Sequence, residues 1–181
     1  SIKSSQLTID NDTLRNKNAD KDSLANGQLK VVYFPSCINQ TMGLPKKSPV
    51  EQALASKMIA LLQKGSYEVI FPENMEKLCC GTIWESKGML DIADRKSAEL
   101  EAALWKASEQ GRYPVLCDQS PCLHRMRETI HKMKLYEPAE FIYTFLRNRL
   151  VFTPTDRPVA VHITCSMRKM GLADTITALA R

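Results

Sequence analysis

Six cysteines, Cys37, Cys79, Cys80, Cys117, Cys122 and Cys165, are the residues of this chain whose type and spacing could do chemistry. Two are adjacent, in "KLCCGTIW", and neighbouring cysteines bridge badly to each other because the small ring strains both the peptide unit and the disulfide torsion. The opening residues do not read as a secretion signal, and the composition is not that of a small loop-rich domain. The thiols therefore point to metal or redox chemistry rather than to a disulfide scaffold. Cys122 follows Pro121 in the first turn of an expected helix, where free N–H groups and the helix dipole favour a thiolate. Cys37 and Cys165 are placed similarly before a loop or helix start, and Gly81 allows close backbone approach with an N–H offered to sulfur. A site that favours negative sulfur is the expectation.

Three kinds of chemistry fit such a set. A four-cysteine zinc site usually pairs two C-x2-4-C knuckles. Only "CDQSPC" has that form here, and zinc leaves a fifth cysteine unused. A thiol–disulfide catalyst built on "CDQSPC" departs from C-x-x-C and leaves the other four cysteines unexplained. An iron–sulfur cluster, held by thiolates and tolerant of wide ligand spacing, accounts for more of the pattern.

The elements that must position these thiols can be read along the chain. Residues 1–28 are rich in Asn, Asp, Ser and Lys and read as a linker or disordered arm. "LKVVYFP" is an apolar run of the kind buried on both faces of a sheet. "SPVEQALASKMIALLQKG" is the expected first helix, with Ser48 and Glu51 as capping box, Pro49 at the first position and Val50, Leu54, Met58, Leu61 and Leu62 on one face. "YEVIFP" is a second strand, and residues 88–109 a helix carrying Leu90, Ala93, Leu100, Leu104 and Ala107. "YPVLC" is a third strand, followed by a helix with Ser120 as cap and Pro121 at its first position. "PAEFIYTFLRNRL" is another helix, and "RPVAVHITC" a fourth strand. Alternating strand and helix imply an α/β fold with a mostly parallel sheet and helices on its faces. Cys37, Cys117 and Cys165 then come at or just past the carboxyl ends of strands, with Cys79 and Cys80 in a loop leaving another. That edge is where open α/β sheets build their sites.

Composition excludes other classes. The chain is 44% hydrophobic and 25% charged, globular in character. The formal charge of +5 is carried by scattered lysines and arginines with no aromatic interleaving, so nucleic acid is not an expected partner. No apolar run approaches the ~20 residues of a membrane helix. Among secondary candidates, His162 reads as a core histidine of the fourth strand and Asp118 as a loop cap. Arg125, Arg168 and Lys169 follow cysteines and are candidates to offset the charge of an anionic cluster.

The cysteine pattern also carries a resemblance. One cysteine, then "CCG" about forty residues later, then a close cysteine pair, resembles the cysteine-rich CCG module of the heterodisulfide reductase B subunit and of glycolate and lactate oxidoreductase iron–sulfur subunits. The stretches "VYFPSCINQTMG", "EVIFPENMEKLCCG", "LCDQSPCLHRM", "LYEPAEFI" and "HITCSMRKMG" are similar to the C-terminal part of bacterial FAD-linked, iron–sulfur D-lactate dehydrogenases. The likeness covers residues 30–181. It implies a Rossmann-like first CCG module at 29–152 and the start of a second at 153–181. It further implies that Cys37, Cys79, Cys80, Cys117 and Cys122 ligate a [4Fe-4S] cluster and that Cys165 is the first cysteine of the second module. The chain differs in spacing its close pair C-x4-C, where the reductase has C-x2-C.

What the resemblance implies about function is an electron-transfer module of a flavin-dependent 2-hydroxy-acid dehydrogenase. FAD and ferredoxin-like domains would lie in a longer parent protein outside this chain, with a quinone or cytochrome as acceptor. Such a protein would be cytoplasmic, at the inner face of the bacterial membrane through peripheral association of the parent. The chain alone, which reads as a fragment, is expected to be inactive. Structural zinc, a plain interaction domain, and a heterodisulfide-reductase-like thiol–disulfide module are the alternatives.

Overall fold

The computed structural model describes residues 24–25, 28–49, 51–153 and 156–181. The expected linker at 1–28 therefore lies mostly outside the described residues. Its last part is strand: β1 (Leu24–Ala25) runs antiparallel to β2 (Gln28–Phe34), pairing Leu24 with Leu29. Four parallel strands follow from the alternation, β2, β3 (Tyr67–Ile70), β4 (Val115–Cys117) and β5 (Leu135–Tyr136). They lie in the spatial order β3-β2-β4-β5. Register is pinned by Val32, which faces Ile70 on one side and Val115 on the other, and by Phe34, which faces Cys117.

Period-two alternation sorts the strand side chains onto two faces. Val32, Phe34, Val115 and Cys117 enter one core with Leu100, Leu104, Leu123 and Met126. Val31, Tyr33 and Leu116 enter the other with Met58, Leu62, Phe141, Phe145 and Leu146. Both faces are covered, which is why the strands read as continuous apolar runs rather than alternating ones. Helix α2 (Leu54–Lys64) covers the second face, while α4 (Leu90–Ala107) and α5 (Ser120–Thr129) cover the first. The chain thus leaves β2 toward β3 across one face, then crosses to β4 over the other. This is a doubly wound, Rossmann-like α/β arrangement whose strand order reverses between β2 and β4. Short elements fill the connections: α1 (Cys37–Thr41), α3 (Thr82–Glu85), α6 (Pro138–Phe141) with a π-turn at Ile142–Leu146, α7 (Cys165–Lys169) and α8 (Ala173–Leu179).

Several expectations change. The Ser48–Glu51 capping box does not start the first helix: α2 begins at Leu54 behind Ala53, whose side chain caps nothing. A capping box stabilises a helix by only about 1 kcal/mol, too little to hold a further turn whose residues Glu51, Gln52 and Leu54 find no apolar surface to cover. Val50 lies outside the described residues. Leu90 is likewise solvent-exposed, although Ala93, Leu100 and Leu104 of its helix are buried. The N-cap of α5 is Gln119, and Ser120 is the first helical residue.

The expected fourth strand at 157–165 does not form. Residues 158–164 form no regular element, and Val159 and Val161 are exposed. The place beside β4 is taken by β5, two residues long and held by its register with Val115 and Leu116. His162, read as a core histidine, is exposed for the same reason. After this run α7 packs against α5, and α8 against α6. Among the described residues no helix is long and apolar enough to cross a membrane.

Candidate functional site

The sheet delivers three chain segments to one edge. Cys37 opens α1, two residues past Pro35 at the exit of β2. Cys79 and Cys80 end the connection that leaves β3, and Cys117 is the last residue of β4, with Cys122 in the first turn of α5. Because β2, β3 and β4 are parallel, these exits share the carboxyl edge, and β2 and β4 flank the point where strand order reverses.

The sulfurs meet there. Cys37 lies close enough to Cys79, Cys79 to Cys80, and Cys80 to Cys122 for each to influence the ionisation of the next. Cys117 lies close enough to Cys80 for their charges to interact. The set grades from surface to core: Cys37 is exposed, Cys79 half-buried, and Cys80, Cys117 and Cys122 are buried. Cys165 stands apart. It is exposed at the start of α7 and outside this chain of sulfur contacts among the described residues.

Negative sulfur, the sequence expectation, is not what this packing favours. The hydrogen bond with Cys80, followed by burial, pushes the Cys79 thiol up, and the bond with Cys122 does the same to Cys80. Burial pushes up both Cys117 and Cys37. Thiols packed against one another without a cation each resist ionising, because every thiolate formed would repel the next. The helix-start argument fails for Cys37 on length, since α1 has only five residues. Gly81 N–H does reach Cys79 Sγ, at 3.4 Å, as the sequence suggested.

Three side chains hold this edge in shape. Asp118 is buried and accepts from Tyr33 Oη (2.7 Å) and from the Ser36 amide (2.8 Å), tying the loop before Cys37 to the loop after Cys117. Asp118 is thus the loop cap expected from sequence. Arg125 is also buried. Its Nε donates to the Cys80 carbonyl (3.2 Å) and its other nitrogens to Glu85 and, at 2.8 Å, to Asp94. Ser97 Oγ donates to the same Cys80 carbonyl at 2.9 Å. Gly81 has φ +88°, and a Cβ there would lie 2.5 Å from the Ala93 carbonyl oxygen. Only glycine fits that left-handed turn without moving backbone.

Comparison with protein-family models, with curated proteins and with solved structures gave no match.

Sequence reasoning missed Ser97 and Lys96, whose charge favours ionised Cys79. Neither carries a local signal, since each reaches the thiols only once α4 lies against the turn. Arg125 did carry one: it sits three residues after Cys122, on the same helix face. Arg168 and Lys169, the other cations that follow a cysteine, are exposed on α7.

Among the described residues, no three His, Cys, Asp or Glu side chains are grouped to hold a metal ion. A single zinc needs its sulfurs about 2.3 Å from one point. A multi-iron cluster takes its thiolates on separate irons, so its ligands need not converge so closely.

Proposed function

We propose that this chain is an iron–sulfur electron-transfer module whose ligands are Cys37, Cys79, Cys80, Cys117 and Cys122. The observation that carries the reading is the delivery of five cysteines to one sheet edge by the exits of three parallel strands, with neighbouring thiols close enough to influence one another's ionisation. The donor set fits such a group. It is soft, all sulfur, graded from exposed Cys37 to enclosed Cys117, and composed of thiols whose mutual crowding a cation would relieve. When bound, the cluster supplies one-electron chemistry. The protein's own part is to fix the sulfurs. Asp118 locks the Cys37 and Cys117 loops together, the Gly81 N–H supports Cys79 Sγ, and α4 and α5 shut water away from Cys80 and Cys122.

The resemblance of the cysteine pattern to CCG modules extends the reading. The parent would be an FAD-linked 2-hydroxy-acid dehydrogenase, D-lactate being the favoured substrate, with flavin and ferredoxin-like domains outside this chain. Electrons would pass to a quinone or cytochrome from the cytoplasmic side of a bacterial membrane. Cys165 would serve a neighbouring module, in keeping with its exposure at the start of α7.

Anaerobic reconstitution with iron and sulfide tests the reading. Stoichiometric iron and acid-labile sulfide are expected, and Cys80→Ser should lower cluster retention at least ~tenfold while Cys165→Ser leaves it unchanged. Zinc uptake without sulfide would overturn it.

A further inference from the structure

We propose that Arg125 is a positioning residue for the Cys79–Cys80–Gly81 turn, acting through the shape of its guanidinium rather than by offering positive charge to the sulfurs. Its side chain is almost wholly enclosed, with 5% exposure, and it stands one turn after Cys122 on α5. From there the planar fork reaches three other pieces of chain: the Cys80 carbonyl, Glu85 at the end of α3 and Asp94 in the first turns of α4. One side chain therefore links the helix bearing Cys122 to the turn bearing Cys79 and Cys80.

Charge does not explain this placement. Arg125 carries one positive charge and faces two carboxylates, so the group as a whole is not a cation. Geometry does explain it. The Cys80 carbonyl has two lone pairs and receives two donors, Arg125 Nε at 3.2 Å and Ser97 Oγ at 2.9 Å, so its direction is fixed from two sides. The glycine is the counterpart of the arginine. A Cβ at Gly81 would lie 2.9 Å from Arg125 Nε, inside the space that the guanidinium occupies. A lysine at 125 would keep the charge but not the planar fork, whose three separate nitrogens each serve a different acceptor. Arg125 was a candidate for offsetting cluster charge; its partners assign it to the backbone of the turn instead.

The proposal concerns ligands of the proposed cluster, but its test needs no iron. Reduced, metal-free full-length chain is treated with iodoacetamide at one fixed pH, and the alkylation of each cysteine is followed by peptide mass spectrometry. In Arg125→Lys, Cys80 should react at least about tenfold faster than in the unaltered protein, the scale on which losing a charged hydrogen bond shifts a local opening. Cys117, on the paired strand β4, should remain as slow as before. A Cys80 rate equal to that of the unaltered protein would overturn the proposal, because the charge alone would then suffice. Should Cys117 speed up together with Cys80, the lysine variant has opened the whole domain, and Ser97→Ala decides. This change removes the second donor to the same carbonyl and should raise the Cys80 rate about threefold with Cys117 unmoved, on the smaller scale of a neutral hydrogen bond. An unchanged Cys80 rate in that variant refutes a held carbonyl. Anaerobic reconstitution of the same preparations separates the two claims: failure of the unaltered chain to take up iron removes the cluster while leaving the thiol result standing.

Discussion

Two stretches of this chain look alike in sequence and end differently. "YPVLC" and "VAVHITC" are both apolar, β-branched runs closing on a cysteine just before a helix. In the first, Val115, Leu116 and Cys117 are fully buried, with β2 on one side and β5 on the other. In the second, Val159 is 66% and Val161 40% exposed, and residues 158–164 belong to no strand among the described residues. Strand propensity was present in both, and only pairing distinguished them. The cysteine followed the strand: Cys117 is enclosed with the other sulfurs, and Cys165 is in solvent.

The strongest way to break this contrast is at the turn beside the paired strand. Gly81→Ala would hold alanine at φ +88° with its Cβ 2.5 Å from the Ala93 carbonyl oxygen. A loss of about 3 kcal/mol in unfolding free energy is expected, near the upper end for a strained backbone site. Urea denaturation followed by circular dichroism measures it. A loss below about 0.5 kcal/mol, ordinary for a surface change, would mean that the turn adapts.

Asp118→Ala comes next. It leaves the Ser36 amide and Tyr33 hydroxyl buried without their acceptor, at a cost of about 2 kcal/mol. The same unfolding experiment should show it, and hydrogen exchange at Ser36 should quicken more than exchange in α4.

The buried sulfurs also sharpen the comparison through pH. Burial holds the Cys117 thiol above its unfolded value, so the folded state keeps a proton that the unfolded chain has released. Its contribution is complete below about pH 8.5 and is lost as pH rises toward the folded value, with a slope of up to about 1.4 kcal/mol per pH unit. The metal-free protein should therefore weaken steadily above pH 8.5, and Cys117→Ala should flatten that alkaline limb. An identical limb in the variant would assign the dependence to other groups.

The smallest effect belongs to the unpaired run. Val161→Thr should change stability by less than about 0.5 kcal/mol, whereas the same change at Val115 should cost well over 1 kcal/mol. Equal costs at the two positions would erase the distinction.

These contrasts mark how far the sequence could be read. Strands β2, β3 and β4 and the apolar faces of α2, α4 and α5 were legible because period and composition are local properties. The gathering of Cys37, Cys79, Cys80, Cys117 and Cys122 at one edge followed from strand direction alone. Three things were not legible. The two-residue β5 exists only by virtue of its neighbour, so Leu135 and Tyr136 carry little signal of their own. The start of α2 depended on what its first turn would touch. The protonation preference of the thiols depended on how closely they pack, since a helix-start argument considers one cysteine at a time.

The chain order of the sheet also bears on when the site can exist. Cys37 and Cys122 are about eighty-five residues apart, and the β2–β4 pairing that unites their loops spans a similar distance. At 5–20 residues per second of synthesis, roughly 4–17 s separate the first of these cysteines from the last. During that interval the early thiols have neither their partners nor the cover of α4 and α5. The strand that leads into Cys37 cannot be seated in the middle of the sheet until β4 arrives, so the proposed cluster could not be recruited piecemeal as a zinc knuckle's metal can. Assembly of the proposed centre would follow closure of the sheet, and any factor that delivered iron and sulfide to it would meet a folded domain whose exposed cysteine at the site is Cys37.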